Sequence, residues 1–187
     1  MKIIDGSLAD TQFIASPNCN DYPDKDDISL LVIHCISLPP GIFGGDEIIK
    51  LFTNTLDANA HPYFKEIEGL KVSAHCLIRR DGTCLQFVPF TKRAWHAGDS
   101  EFAGCKHCND FSIGIELEGT PEFEYTEAQY QALALLTAIL MQQYPKITRQ
   151  RIVGHSDIAP DRKADPGERF DWQKYFDLLD FTNQKPL

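Results

Sequence analysis

His34 and His155 each stand where a short apolar run, Leu30-Leu31-Val32-Ile33 or Ile152-Val153-Gly154, gives way to a loop. Side chains at such exits, delivered by separated segments, converge at the mouth of a sheet. Converging imidazoles suit a metal: a hydrolytic zinc takes three ligands of histidine or carboxylate type and leaves the fourth position for water. The third ligand is then an acid or another histidine. The segment after His155 offers Asp157, Asp161 and Asp165. Asp157 shares the face of His155 if the strand continues, whereas Pro160 and Pro166 restrict the loop and weakly favour a later acid folding back. Spacing alone leaves the three open. Either histidine by itself is more simply a hydrogen-bonded core or surface residue, so the reading rests on the pair.

The elements that must position these groups are legible in the hydrophobic pattern. Ile28 to His34 is a continuous apolar run with β-branched residues, as in a strand buried on both faces. Pro39-Pro40-Gly41 and Gly44-Gly45 break the chain, and Asp46 to Phe52 forms a short helix behind an acidic cap. An irregular stretch runs through Asn59 to Gly69. His75–Arg80 and Thr83–Val88 flank Asp81-Gly82, the two-residue signal of a type I′ hairpin. Ser112 to Glu118 is a strand that carries acidic side chains to a sheet edge or mouth. Thr126-Glu127-Ala128-Gln129 is a capping box, and Tyr130, Leu133, Thr137, Leu140 and Tyr144 make the apolar face of a helix that Pro145 stops. A short strand over 151–155, a charged loop over 157–167 and a last helix capped by Asp171, with Trp172, Tyr175, Phe176 and Leu179 on one face, complete the pass. The sum is one α/β domain over 1–187, a central mixed sheet flanked by helices, with an irregular N-terminal arm over about 1–27 and a core over about 28–180.

Composition narrows the partners. At 187 residues, 43% hydrophobic and 24% charged, the chain has the makeup of a soluble globular domain with its own core. A net charge of −9 repels a phosphate backbone, and the basic residues are scattered, so no nucleic-acid partner is expected. The start lacks the apolar core of an export signal, and no stretch approaches the length of a membrane span. Cys35 and Cys76 sit in apolar runs as small hydrophobes, which favours a reduced compartment. Cys105 and Cys108 form a lone C-x-x-C around His107; with no second pair at zinc-ribbon spacing it reads as a surface loop.

Several blocks taken in order carry a resemblance. They include Leu31-Val32-Ile33-His34, Ser37-Leu38-Pro39-Pro40-Gly41, Asn59-Ala60-His61-Pro62-Tyr63-Phe64 and Val72-Ser73-Ala74-His75-Cys76 through Gly82. They continue with Arg93-Ala94-Trp95-His96-Ala97-Gly98, Cys108-Asn109-Asp110 through Thr120, and Gly154-His155-Ser156-Asp157 through Gly167. Over nearly its whole length the chain resembles the 1,6-anhydro-N-acetylmuramyl-L-alanine amidases of cell-wall recycling, relatives of the phage-lysozyme amidases and the peptidoglycan recognition proteins.

The resemblance implies a zinc held by His34, His155 and Asp165, with Asp157 left as a loop or supporting residue. It makes Glu116 the catalytic acid and base, and Lys163 the group that stabilises developing charge. A carboxylate near an activated water can take its proton and hand it to the leaving nitrogen, and an ammonium can stabilise the carbonyl oxygen as it gains charge. His75, Trp95, His96, Asn109 and Lys71 are implied to line the substrate groove, Trp95 with an apolar face for a sugar ring; His61 is implied to be structural. The implied partner is a small anhydro-muropeptide, the location the cytoplasm, and the state a monomer. Three features depart from the family pattern: Cys35 replaces asparagine after the first zinc histidine, Lys71 stands in place of arginine, and Cys105-Lys106-His107 replaces an arginine-rich stretch. Arginine and lysine differ at carboxylate sites, so recognition of the acidic stem peptide is where the departures bear. The rival readings are an amidase acting on ordinary muropeptides, a peptidoglycan-binding module without turnover, and a redox or zinc-ribbon protein built on Cys105 and Cys108.

Overall fold

The apolar run after Ile28 forms the first long strand, two residues later than its pattern indicates. Ser29 and Leu30 both donate backbone N–H groups to the carbonyl of Phe111, and the ladder starts there. In the computed structural model, which describes residues 2–184, six strands build one sheet. They are β1 (Gln12–Phe13), β2 (Leu30–Ile36), β3 (Cys76–Ile78), β4 (Cys84–Gln86), β5 (Ser112–Glu118) and β6 (Ile152–Gly154). Their spatial order is β6-β2-β5-β3-β4-β1. Only β3 and β4 pair antiparallel; the other neighbours run parallel, so the sheet is mixed as expected.

The strand β5 lies at the centre of this sheet, between β2 and β3, rather than at its edge. Its C-terminal end does open at the mouth. The side-chain period of two divides it cleanly: Ile113, Ile115 and Leu117 join Leu31 and Ile33 in the larger core, while Ser112, Gly114 and Glu116 point the other way. The larger core is covered by α3 (Glu127–Gln143) and α5 (Trp172–Asn183), through Leu133, Leu136, Leu140, Tyr175 and Leu179. Each such fully buried side chain contributes roughly 1.5–3 kcal/mol of transfer free energy. Thr126 closes the expected capping box with Gln129, Asp171 caps α5 at Lys174, and a Thr137–Tyr175 hydroxyl bond of 2.8 Å joins the two helices. The opposite face carries α1 (Glu47–Phe52), whose Phe52 meets Phe87, and Leu77 and Leu85 from the sheet.

Four local expectations need correction. The hairpin turn has three residues, not two. Arg79 N–H bonds Thr83 O at 2.9 Å and Gly82 N–H bonds Arg79 O at 2.9 Å. Only Gly82 has a positive φ (85°), whereas a type I′ turn requires it at both central positions. The stretch 59–69 contains a short helix, α2 (Pro62–Glu66), which Pro62 opens at its first turn and the His61 side chain caps by accepting from Tyr63 N–H. The N-terminal arm is not merely irregular: β1 adds the sixth strand, and Tyr22 and Asn18 are buried beneath the site. Finally, β6 stops at Gly154, and His155 opens a single helical turn, α4 (His155–Ile158). No helix among the described residues is long and apolar enough to cross a membrane.

Candidate metal centre

Backbone register sets the site. His34 follows Leu30 and Val32 in steps of two, which puts its ring on the face away from the larger core. In the parallel pairing of β2 with β5 its register partner is Glu116. On the other side Gly154 pairs with Ile33, so His155 emerges next to His34. The loop beyond α4 folds back because Ser156 N–H bonds Asp165 O at 2.9 Å and the Tyr125 hydroxyl bonds Pro166 O at 2.8 Å. This brings Asp165 to the two histidines. Asp157, which is exposed, instead reaches back along α4 to accept Gly154 N–H at 2.7 Å, a capping role.

Three ligand atoms converge. The Nδ1 atoms of His34 and His155 are 2.9 Å apart, and each is 3.1 Å from Oδ2 of Asp165. Ligands at about 2.0–2.1 Å from a tetrahedral zinc are about 3.3 Å from one another, so this triangle is close to the size a zinc requires. Among the described residues these three form the group that could hold a metal ion. The His155 Nε2–H points to the carbonyl of Ala97 at 3.0 Å, which leaves its Nδ1 lone pair facing Asp165. Burial holds His34 neutral, its pKa lowered to about 4. Burial also works against the Asp165 carboxylate, but the His155 and His34 rings, each 3.1 Å from its Oδ2, outweigh it and keep that pKa below the ordinary range. Two imidazole nitrogens and one carboxylate are the donor set of a hydrolytic zinc site.

Beside the triangle opens a cleft of about 370 Å³. Glu116 and Lys163 both line it with the three candidate ligands. Burial pushes the Glu116 carboxyl well above its usual pKa, the Asp165 charge adds to this and Lys163 opposes it. One of its oxygens, Oε2, is buried without a hydrogen-bond partner. Glu118, two residues on, is committed elsewhere: its oxygens accept the backbone N–H groups of Gly44 and Arg80, tying two loops to the strand. Cys35 also lines the cleft, but burial pushes its thiol up to about 12, so it stays protonated and a poor nucleophile.

The residues expected in the groove divide. Trp95 lines the cleft, its indole N–H held by Asn20 Oδ1 at 2.7 Å. Lys71 faces an adjoining hollow of about 420 Å³, which shares Leu51, Ile67 and Leu70 with the cleft. His75 is 0% exposed, and its ring is spent on Lys92 O, Gly114 N–H and the Tyr22 hydroxyl, so it has no face for a ligand. Asn109 is buried as well, its Oδ1 accepting from the backbone of His96 and Ala97. His96 borders the cleft, but both of its ring nitrogens are engaged, by His34 and Ser112. Tyr63 and the Thr120-Pro121-Glu122 rim also line the cleft and were not anticipated; Tyr63 lies inside a block that carried the resemblance. Cys105 is exposed and Cys108 buried.

The buried His75 makes stability depend on pH. In an unfolded chain it takes up a proton below its ordinary pKa of 6.5, whereas burial holds the folded residue neutral down to about 4. Its contribution is complete above pH 6.5 and is lost as pH falls, by about 2 kcal/mol at pH 5. Denaturant midpoints of the metal-free protein at pH 7.5 and pH 5 are expected to differ less for His75→Asn than for the unsubstituted chain. An unchanged difference rejects this account.

Residues 24–168 match the family model described as N-acetylmuramoyl-L-alanine amidase. The chain belongs to this amidase family. The matched stretch contains the triangle, Glu116 and Lys163, and ends before α5. Among the similar amidases is the 1,6-anhydro-N-acetylmuramyl-L-alanine amidase AmpD of Citrobacter freundii, 54% identical over 187 residues and 100% of both chains. A crystal structure of a selenomethionine AmpD derivative superposes with a TM-score of 0.93 at 56% identity, over 96% of this chain and 99% of that one. The amidase AmiD from E. coli was solved in complex with anhydro-N-acetylmuramic acid-L-Ala-D-gamma-Glu-L-Lys. It gives a TM-score of 0.60 at 32% identity, over 84% of this chain and 58% of that one.

Proposed function

We propose that this protein is a zinc-dependent amidase that cleaves the bond between the lactyl group of 1,6-anhydro-N-acetylmuramic acid and the L-alanine of its stem peptide, in recycling of cell-wall peptidoglycan. The observation that carries the mechanism is the register pairing of Glu116 with His34, which sets a buried, unpartnered carboxylate oxygen beside the His34–His155–Asp165 triangle. A zinc bound by those three residues supplies Lewis acidity, making water more acidic and an amide carbonyl more electrophilic. Glu116 accepts the proton of the attacking water as its oxygen bonds to the carbonyl carbon. The same carboxyl, now neutral, returns that proton to the nitrogen as the C–N bond breaks, so L-alanine leaves as an amine rather than an amide anion. Its raised pKa suits both halves of this cycle. Lys163 sits on the cleft wall where its ammonium stabilises the carbonyl oxygen as it gains charge. Trp95 offers a flat apolar face to the sugar ring, and Lys71 a cation toward an acidic stem peptide. The enzyme works in this reading as a cytoplasmic monomer on free muropeptides, without a nucleic-acid partner.

The deciding experiment incubates zinc-loaded and chelator-treated protein with 1,6-anhydro-N-acetylmuramyl tripeptide and with its non-anhydro counterpart, and follows the masses. Release of free tripeptide with zinc alone, faster from the anhydro sugar, is the expected result. Equal rates on both sugars would move the assignment to ordinary muropeptides. No release with zinc confirmed bound would replace hydrolysis by binding without turnover.

A further inference from the structure

The two candidate histidine ligands are anchored from behind by consecutive residues of one segment. His155 Nε2–H donates to the carbonyl of Ala97 at 3.0 Å, and His34 Nε2 lies 2.9 Å from Nδ1 of His96. The other nitrogen of His96, Nε2, lies 3.2 Å from the Ser112 hydroxyl. If His96 donates to Ser112, its Nδ1 is bare and receives the His34 proton; His34 Nδ1 is then left as a lone pair aimed into the triangle. The same segment is pinned by one atom, the Asn109 Oδ1, which accepts from His96 N–H at 3.2 Å and Ala97 N–H at 2.8 Å. Arg162 adds a second donor to the Ala97 carbonyl at 2.7 Å. Space for the His96 ring comes from Gly114: a Cβ there would collide with the ring itself. Ser112 and Gly114 stand four and two residues before Glu116 on the same face of β5, so this one strand carries both the acid and the seat of the support.

We propose that His96 and Asn109 are positioning residues that aim both imidazoles of the metal centre, acting on metal affinity through His34 and His155 rather than by touching substrate. The proposal rests on reading the His34–His155–Asp165 triangle as a metal site. An imidazole ligand whose second nitrogen is anchored keeps one tautomer and one orientation, and loss of such an anchor typically weakens metal binding about 10–100-fold. Here one segment serves two ligands, so disturbing it moves both.

The test measures zinc dissociation constants by competition with a chromophoric chelator, and visible spectra of the cobalt-substituted protein. It compares the unsubstituted chain with His96→Leu, His96→Asn, Asn109→Ala and the conservative Ser112→Ala. Zinc binding about 10–100-fold weaker in His96→Leu and Asn109→Ala, with an altered cobalt spectrum, is expected. His96→Asn, which keeps an acceptor where Nδ1 lies, should recover part of the loss, and Ser112→Ala should weaken binding less than His96→Leu. KM for the muropeptide, measured in saturating zinc, should not move. Zinc affinities within twofold of the unsubstituted protein in every variant would overturn the proposal, as would a raised KM with unchanged zinc affinity, which would make these residues substrate contacts. Failure of the unsubstituted protein to bind zinc would be a separate result, removing the metal centre on which the proposal rests.

Discussion

Glu116→Gln is expected to lower kcat by about 10²–10⁴-fold while leaving bound zinc unchanged. The amide is nearly isosteric and preserves the packing of a strand buried on both sides, but it can neither take a proton from water nor give one to nitrogen. The size of the effect follows from the place of the carboxyl. It lies on the central strand of the sheet, with one oxygen buried and unpartnered. Burial and the Asp165 charge make it a stronger base than a surface glutamate. No other carboxylate of β5 can substitute, because Glu118 is held by Gly44 and Arg80. Metal analysis beside steady-state kinetics checks the prediction. A Glu116→Gln protein with kcat within about tenfold of the parent would remove Glu116 from the chemistry.

Asp165→Ala is expected to abolish both zinc retention through dialysis and amidase turnover, down to the level of chelator-treated protein. It leaves two imidazole nitrogens, without the negative ligand that completes a three-residue hydrolytic set. Asp157→Ala makes the contrast. Asp157 accepts the Gly154 N–H, so its loss should cost about 1 kcal/mol of stability, as removal of a helix cap does, and leave zinc in place. Elemental analysis of both variants separates them. Full zinc in Asp165→Ala, or empty protein in Asp157→Ala, would reverse the assignment of the third ligand.

Much of the scaffold was legible because its signals are local. The capping box at Thr126, the stop at Pro145 and the cap at Asp171 each act within one turn, and each stands where its residues indicate. The uninterrupted apolar run of β2 identifies a buried strand and the partial alternation of β5 a strand that carries acids to a sheet edge or mouth, but neither pattern gives a place in the order, and β5 proves central with its end at the mouth. The pairing of β1 with β4 joins residues far apart in the chain through two residues of backbone, Gln12 and Phe13, which carry no pattern. In the site, His34 and His155 were visible as histidines closing apolar runs, although β2 continues past His34 to Ile36 and His155 opens α4, whereas the choice of Asp165 over Asp157 depended on the resemblance. Geometry supplies the physical reason: a backbone bond from Ser156 to Asp165 folds the loop back. The resemblance implied a place in the groove for His75, His96 and Asn109. Their hydrogen-bond partners, which no sequence displays, turn all three inward.

The pairing of His34 with Glu116 across a parallel ladder also bears on how the enzyme can fail. Neighbouring strands lie about 4.8 Å apart whatever side chains they carry, so the gap between acid and first ligand is ruled by main-chain hydrogen bonds. A slip of one residue would turn one of the pair to the opposite face, and a slip of two would carry it about 6.6 Å along the strand. Neither leaves a half-working arrangement. The constellation is therefore digital: substitutions elsewhere that loosen the sheet should reduce the number of competent molecules while leaving the turnover of each one intact.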